Sequence, residues 1–252
     1  MARLIWDEMN LLNLITDPYD RSARLYPALL LIAPEIVIVT TAMSGDFIKS
    51  LGTTVAGCGG AFLLSQLARD AGKNCENALY QKWGGTPSVT IFRHRDTRLD
   101  AITKARYHKK MASIVKETTT PSIEEEQADP AASDKIYAAW STYLRINARD
   151  TKKFSLLFRE LTNYGFRRNI FGLRLIGIIT TALCCAVSAI WLYFLFKTTG
   201  KIVPEVTVSL LFSTVFLFLW IFQFSSDWVR IPADAYAERL AETIDYVEKS
   251  KK

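Results

Sequence analysis

The feature that most constrains this chain is the concentration of its apolar residues in four runs that carry almost no charge. The runs cover residues 25–43, 51–67, 175–196 and 203–224. A helix needs about 20 apolar residues to cross the roughly 30 Å hydrocarbon layer of a bilayer. The sequence therefore predicts four membrane-spanning helices. The alternatives are buried helices of a large soluble protein for the second pair, and a re-entrant or buried hairpin for the first pair.

Short turns join these runs in pairs, at residues 44–50 and 197–202. Each pair is predicted to be a transmembrane helical hairpin, the first at 25–67 and the second at 175–224. The predicted fold class is therefore a mainly all-α integral membrane protein. Its two hairpins, with four spans in total, are expected to flank a mostly helical domain.

The polar residues lie between and outside the hairpins. Residues 68–174 are predicted to form a basic domain, and the acidic stretch 117–134 within it, which contains two prolines, is predicted to be a flexible loop. Apolar residues at helical spacing predict an amphipathic segment at 1–24 and an amphipathic helix at 225–252.

The charge pattern predicts the orientation in the membrane. The chain has a net charge of +6, and residues 68–174 hold 20 basic residues against 12 acidic ones. Basic residues stand beside the runs on the sides of the termini and of this central domain, whereas the two turns carry only Lys49, Lys197 and Lys201. The positive-inside rule therefore places both termini and the central domain in the cytoplasm of a multi-pass protein.

A carboxylate lies near the middle of the first run. Glu35 follows Pro34, which frees a backbone carbonyl and kinks a helix. A charged group at that depth is costly unless it faces a partner or water. Together with Thr40 and Thr41, these residues are predicted to line a pore or a subunit interface. The alternative is a protonated glutamate with a structural hydrogen bond.

Small residues recur every four positions in the second run. Gly52, Ala56 and Gly60 would share one helix face and allow a second helix backbone to approach closely in lipid. They are predicted to belong to the same pore or subunit interface. Packing within one chain is the alternative.

Basic and planar side chains are mixed in one stretch of the central domain. The predicted anion-binding residues are Arg93, His94, Arg95, Arg98, Lys104, Arg106, Tyr107, His108, Lys109 and Lys110. Cationic groups beside planar rings suit phosphates and bases, so a nucleotide or nucleic acid is the expected ligand. Membrane lipid headgroups are a second possibility, and a solvated charged face is a third.

The sequence has no motif typical of catalysis or cofactor binding. It lacks the GxxxxGK phosphate loop, the GxGxxG fingerprint and the GxSxG elbow. With two histidines and no paired ligand spacing, it offers no predicted metal site. We therefore expect no enzyme activity, no metal and no cofactor. The remaining acid–base candidate is His94 with Asp96, for which surface histidine is the simpler interpretation.

A family resemblance rests on three short segments. LYQKWGGTP at 79–87, FRHRD at 92–96 and RYH at 106–108 resemble a sequence block in bacterial membrane proteins that have a hairpin, a cytoplasmic insert and a second hairpin. The overall plan also resembles membrane effectors of bacterial anti-phage systems, such as the effector of the Hailong system. The resemblance implies an ion-conducting homo-oligomer, with four subunits, in the bacterial inner membrane. It also implies a nucleotidyltransferase-like partner that makes a nucleic-acid signal, and no catalytic residues.

Three functions follow as hypotheses. The first is an antiviral defence effector that is ion-channel-like or membrane-disrupting and is regulated at its cytoplasmic domain by an anionic ligand or partner. The second is a membrane-anchored sensor or scaffold that recruits a soluble partner without conductance. The third is a membrane-bound enzyme that uses His94 or His108.

Overall fold

The computed structural model describes residues 16–43, 47–57 and 60–247, and every regular element within them is a helix. This confirms the mainly all-α prediction. In chain order the helices are α1 (Pro18–Ala42), α2 (Phe47–Gly57), α3 (Gly60–Trp83), α4 (Pro87–Thr90), α5 (Ala101–Ile114), α6 (Ile123–Ala128), α7 (Pro130–Asn147), α8 (Ser155–Thr199), α9 (Pro204–Gln223) and α10 (Ser226–Glu242). A 3-10 turn, Thr243–Tyr246, follows α10.

Three helices of the described residues, α1, α8 and α9, are long and apolar enough to cross a membrane. They correspond to the first, third and fourth predicted spans. The second predicted span, 51–67, is not one helix, because α2 ends at Gly57 and α3 begins at Gly60. Gly60 has a φ of +83°, a left-handed value that glycine adopts without steric cost and that interrupts a helix. The four-span arrangement is therefore not confirmed.

The chain divides into two compact units. The apolar unit comprises Met1–Glu76 and Gly165–Val229, and the polar unit comprises Asn77–Tyr164 and Arg230–Lys252. The polar unit differs from the predicted central domain, 68–174, because both ends of that segment belong to the apolar unit and Arg230–Lys252 belongs to the polar unit. The predicted segment 1–24 lies outside the described residues up to residue 15, as does the end of the chain from residue 248.

In the apolar unit, the backbones of α3 and α8 pack in close contact. A Cβ atom placed on Gly172 would overlap the backbone carbonyl of Ala71 and lie 2.5 Å from the backbone nitrogen of Gly72. A Cβ atom on Gly72 would in turn overlap the Asn169 side chain. The Asn169 amide is buried and donates to the carbonyl of Ala23, at 2.6 Å, which fixes α1 to α8. These two glycines allow the helix backbones to approach closely.

The polar unit has its own apolar core. Trp140 and Leu144 of α7 pack with Met111 of α5, Leu240 of α10 and Ile244 of the 3-10 turn, and all five side chains are buried. Because α10 and the 3-10 turn contribute side chains to this core, both are integral parts of the polar unit.

The segment 117–134 was predicted to be a flexible loop, and this is wrong for most of its length. α6 starts with a capping box, in which Ser122 Oγ accepts from the Glu125 backbone and the Glu125 carboxylate accepts from the Ser122 backbone. Asp129 then caps α7 by accepting from the backbone nitrogen of Ala132 at 2.9 Å. Acidic residues in a first turn complement the helix dipole. The acidic composition therefore reflects two adjacent helix starts.

Candidate functional site

Arg93 is held by groups of the polar unit. Its Nε and Nη2 donate to the two carboxylate oxygens of Asp134, at 2.8 and 2.6 Å, and its Nη1 donates to the carbonyl of Gly84 at 2.8 Å. A two-point guanidinium–carboxylate pair of this kind is strong and directional. Arg93 therefore fastens the loop after α4 to α7.

Arg98 is similarly engaged. Its guanidinium donates to Asp96, to Asp234 of α10 at 2.6 Å and to the hydroxyl of Thr90 at 2.7 Å. Asp96 also accepts from the backbone nitrogen of Arg98 at 3.0 Å, and these bonds to Arg98 hold the pKa of Asp96 below its usual value, although burial opposes them. Asp96, which was one half of the acid–base candidate with His94, thus forms an ion pair with Arg98.

Lys104 is a buried cation, with only 6% of its surface exposed. Its ammonium group donates to the carbonyls of Arg93 at 2.8 Å, His94 at 3.4 Å and Asp96. Burial lowers the pKa of Lys104, and the charge of Asp96 opposes that shift. Three carbonyl oxygens from one loop thus converge on one ammonium group, which organises the loop around it.

The two histidines lie side by side, with ring centroids 5.0 Å apart. Nε2 of His108 is 2.8 Å from the carbonyl of Phe92, and Nε2 of His94 is 2.8 Å from that of Pro121. Beside them, Glu126 accepts from the backbone nitrogen of His94 at 2.9 Å and from the hydroxyl of Tyr137 at 2.8 Å. His108 is 2% exposed, and this burial lowers its pKa to about 4.

The stability of the protein should therefore depend on His108 in mildly acidic solution. Because the folded-state pKa of His108, about 4, lies below its ordinary value of 6.5, the unfolded chain binds the proton more tightly. The contribution is complete above pH 6.5 and is lost as pH falls toward 4. We expect the free energy of unfolding to drop by about 2 kcal/mol between about pH 7 and about pH 5. Denaturant unfolding followed by tryptophan fluorescence measures this slope.

The matched variant for that measurement is His108→Gln, which keeps a donor for the Phe92 carbonyl but cannot titrate. His94, Lys104 and Glu126 are the titratable groups nearest to His108, and all three remain in this variant. Above about pH 5 most carboxylates stay ionised, so their titration contributes little to the slope. An equal slope in the variant and the wild-type protein would contradict the role assigned to His108.

Of the three arginines in the loop after α4, Arg95 is the exposed one, and it lines a polar cavity of about 410 Å³ with residues of α6 and α7. Arg93 and His94 line the same cavity, and so do the carboxylates of Glu126 and Asp134. The cavity therefore carries balanced charge. This balance favours a small polar molecule over a polyanion.

The remaining predicted anion-binding residues lie on α5, where three of them contact Asp245 of the 3-10 turn. Nη2 of Arg106 is 3.1 Å from Oδ2 of Asp245, and the Tyr107 hydroxyl donates to the same oxygen at 3.3 Å. Lys110 donates to the backbone carbonyl of Asp245 at 3.2 Å. Lys109 is exposed. Arg106 and Lys109 are therefore exposed members of the predicted basic stretch, as Arg95 is, and Lys110 beside them is half-buried.

In the apolar unit, Glu35 lies on a cavity of about 350 Å³ between α1 and α8, which Thr180 and Cys184 also line. Within the described residues, Oε2 of Glu35 has no hydrogen-bond partner, although it is shielded from solvent. Pro34 beside it is buried in α1. A shielded carboxylate oxygen without a donor is unfavourable in one isolated subunit.

The other predicted pore residues are arranged differently. The hydroxyls of Thr40 and Thr41 donate to carbonyls of their own helix, at 2.7 and 3.0 Å, and both residues line a second cavity of about 850 Å³. Gly52 and Ala56 are exposed on α2, and a Cβ atom on Gly52 or Gly60 would meet nothing within 4 Å. Within the described part of the subunit, open space therefore lies where a side chain would stand at Gly52 and at Gly60.

Three acidic partners of the basic stretch are distant in sequence, so local patterns could not identify them. Asp134, Asp234 and Asp245 are separated from their arginines by 41, 136 and 139 residues. Across the described residues, no three His, Cys, Asp or Glu side chains are grouped as metal ligands.

Comparisons with protein-family models, curated proteins and solved structures give no match for this chain. Over the residues that the structure describes, the fold is all-helical, with three candidate membrane spans and a compact polar unit.

Proposed function

We propose that the protein is an oligomeric membrane protein whose apolar unit forms an ion-conducting or membrane-disrupting path. The observation that supports this most is Glu35, which lies in an apolar helix with one carboxylate oxygen shielded and without a donor. Ionisable groups at membrane depth are retained where they face a water-filled path or a partner. A neighbouring subunit or a hydrated pore would supply the missing partner.

The proposed arrangement crosses the membrane four times. α1, α8 and α9 are three crossings, and α2 with the apolar start of α3 returns the chain through the bilayer as an interrupted helix. Broken backbone at membrane depth is tolerated where it is covered by protein or lines water. With both termini and the polar unit in the cytoplasm, the polar unit would sense an anionic ligand or a partner protein. A bacterial inner membrane, four subunits and a role in anti-phage defence follow from the resemblance alone.

Two of the predicted subunit-interface residues support an oligomer. Gly52 and Ala56 are exposed on α2 with no side chain of the described subunit against Gly52. In lipid, apolar area alone does not drive helix association, and small residues are favoured where backbones meet. The open face at Gly52, together with the one Glu35 oxygen that has no donor, therefore suits contact between subunits.

Replacing Glu35 by glutamine tests the proposal. Glutamine keeps the shape and one carbonyl oxygen but removes the charge that would attract cations. We expect cation flux through liposomes containing the purified protein to fall about tenfold. The matched control is Glu124→Gln, because Glu124 is an exposed carboxylate in the first turn of α6, in the polar unit. This control should keep the wild-type flux.

Equal flux in wild-type and Glu35→Gln liposomes would contradict a conducting role for Glu35. No flux in any of the three proteins, combined with capture of one soluble protein in stoichiometric amount, would instead support the alternative of a membrane-anchored sensor or scaffold.

A further inference from the structure

Three cations occupy one turn of α5. Arg106, Lys109 and Lys110 are spaced three and four residues apart, which places them on one face of the helix. Like charges at this spacing destabilise a helix by repulsion. The face therefore gains stability when an anion binds to it.

Asp245 is the anion that occupies this face in the structure. Its carboxylate oxygen Oδ2 contacts Arg106 and Tyr107, and its backbone carbonyl accepts from Lys110. The Arg106 side chain is nevertheless 57% exposed and that of Asp245 42% exposed, so water reaches the pair. Exposed pairs of this kind contribute about 1 kcal/mol or less, so a stronger anion can replace the carboxylate.

One carboxylate leaves the charge of the face uncompensated. Arg106, Lys109 and Lys110 supply three positive charges and Asp245 supplies one negative charge. Within the described residues, no ion pair or hydrogen bond joins Lys109 to another side chain. A phosphate group has several acceptor oxygens and about two negative charges, and it matches guanidinium and ammonium donors in geometry.

We infer that Arg106, Lys109 and Lys110 form a phosphate-binding site and that Asp245 is its internal competitor. The turn itself stays in place when phosphate binds, because Ile244 is fully buried in the core beside it. Only the Asp245 side chain moves aside. This inference rests on the proposed anion-sensing role of the polar unit, and it assigns that role to three of the ten residues predicted from sequence.

The test is calorimetric titration of the full-length protein in detergent with inorganic pyrophosphate. Asp245→Asn should bind pyrophosphate about fivefold more tightly than the wild-type protein, since the competing charge is gone. Asparagine keeps an oxygen for the Tyr107 hydroxyl, so the fold is retained. Arg106→Gln with Lys110→Gln should weaken binding at least about fivefold. The control Glu117→Gln removes one exposed negative charge elsewhere in the polar unit and should change affinity less than about twofold.

Equal affinity in Asp245→Asn and the wild-type protein would overturn the inference, and so would unchanged affinity in the double variant. Competition for bound pyrophosphate then identifies the source of the phosphate: displacement by short-chain phosphatidic acid indicates a lipid headgroup, and displacement by ATP indicates a nucleotide. If the variants bind pyrophosphate as expected but pyrophosphate does not change the ion flux, the phosphate site would be supported and the proposed function would be contradicted.

Discussion

Gly172→Ala is expected to destabilise the apolar unit by about 3 kcal/mol, whereas the same change at Gly52 should leave it as stable as the wild-type protein or slightly more stable. Both glycines lie inside helices, so the gain in helix propensity from alanine is similar at the two positions. The difference between the variants therefore reports what each added methyl group meets.

The two methyl groups meet different surroundings. On Gly172 the methyl group would overlap the Ala71 carbonyl and crowd the nitrogen of Gly72, which are backbone atoms of α3. A side chain could rotate away, but a helix backbone can only shift as a whole and lose its contacts. On Gly52 the methyl group would meet nothing within 4 Å.

Thermal unfolding in a detergent that keeps the protein monomeric, followed by circular dichroism, compares the two variants without the subunit contact proposed at Gly52. A clearly lower midpoint for Gly172→Ala and an unchanged one for Gly52→Ala are expected. Equal midpoints would show that α3 and α8 tolerate a wider separation than the structure has. In a detergent that preserves the oligomer, Gly52→Ala is expected to lower the midpoint, because the added methyl group would meet the neighbouring subunit.

The helical class could be predicted from the sequence because apolar runs of span length can be recognised from one segment at a time. The close contact between α3 and α8 could not. Gly72 and Gly172 are isolated glycines 100 positions apart, and nothing near either one marks it as half of a pair. The recurring small residues Gly52, Ala56 and Gly60 instead predict a helix interface, although a Cβ atom on Gly52 or Gly60 would meet nothing within 4 Å in the described subunit.

The basic stretch shows the same limitation in its chemistry. Spacing along the chain identifies Arg93, Arg98 and Lys104 as cations, but not the acceptors that a distant segment or a folded loop brings to them. A sequence shows where the cations are, but the groups that neutralise them are brought close only by folding. The number of cations in a basic cluster therefore overstates how many are available to a ligand. Arg106 and Lys109, at the exposed end of the same cluster, illustrate the part that stays available.

The second large effect is expected at Lys104, where Lys104→Met should destabilise the polar unit by about 3 kcal/mol. Methionine fills nearly the same volume, so packing changes little. It leaves the carbonyls of Arg93, His94 and Asp96 without the ammonium donor that now binds them. Each buried acceptor that loses its donor costs about 1–3 kcal/mol, because it has also lost its water.

Lys109→Met is the matched control, since it makes the identical substitution on the same helix at an exposed position. Its effect on stability should stay within about 0.5 kcal/mol. Denaturant unfolding followed by tryptophan fluorescence, to which the buried Trp140 of the polar unit contributes, measures both variants in the full-length protein. The two variants should also differ in ligand binding, because Lys109 belongs to the inferred phosphate site and Lys104 does not. If Lys104→Met binds pyrophosphate more weakly but is as stable as the wild-type protein, Lys104 binds the ligand. If it is less stable but binds pyrophosphate normally below the unfolding transition, Lys104 stabilises the fold.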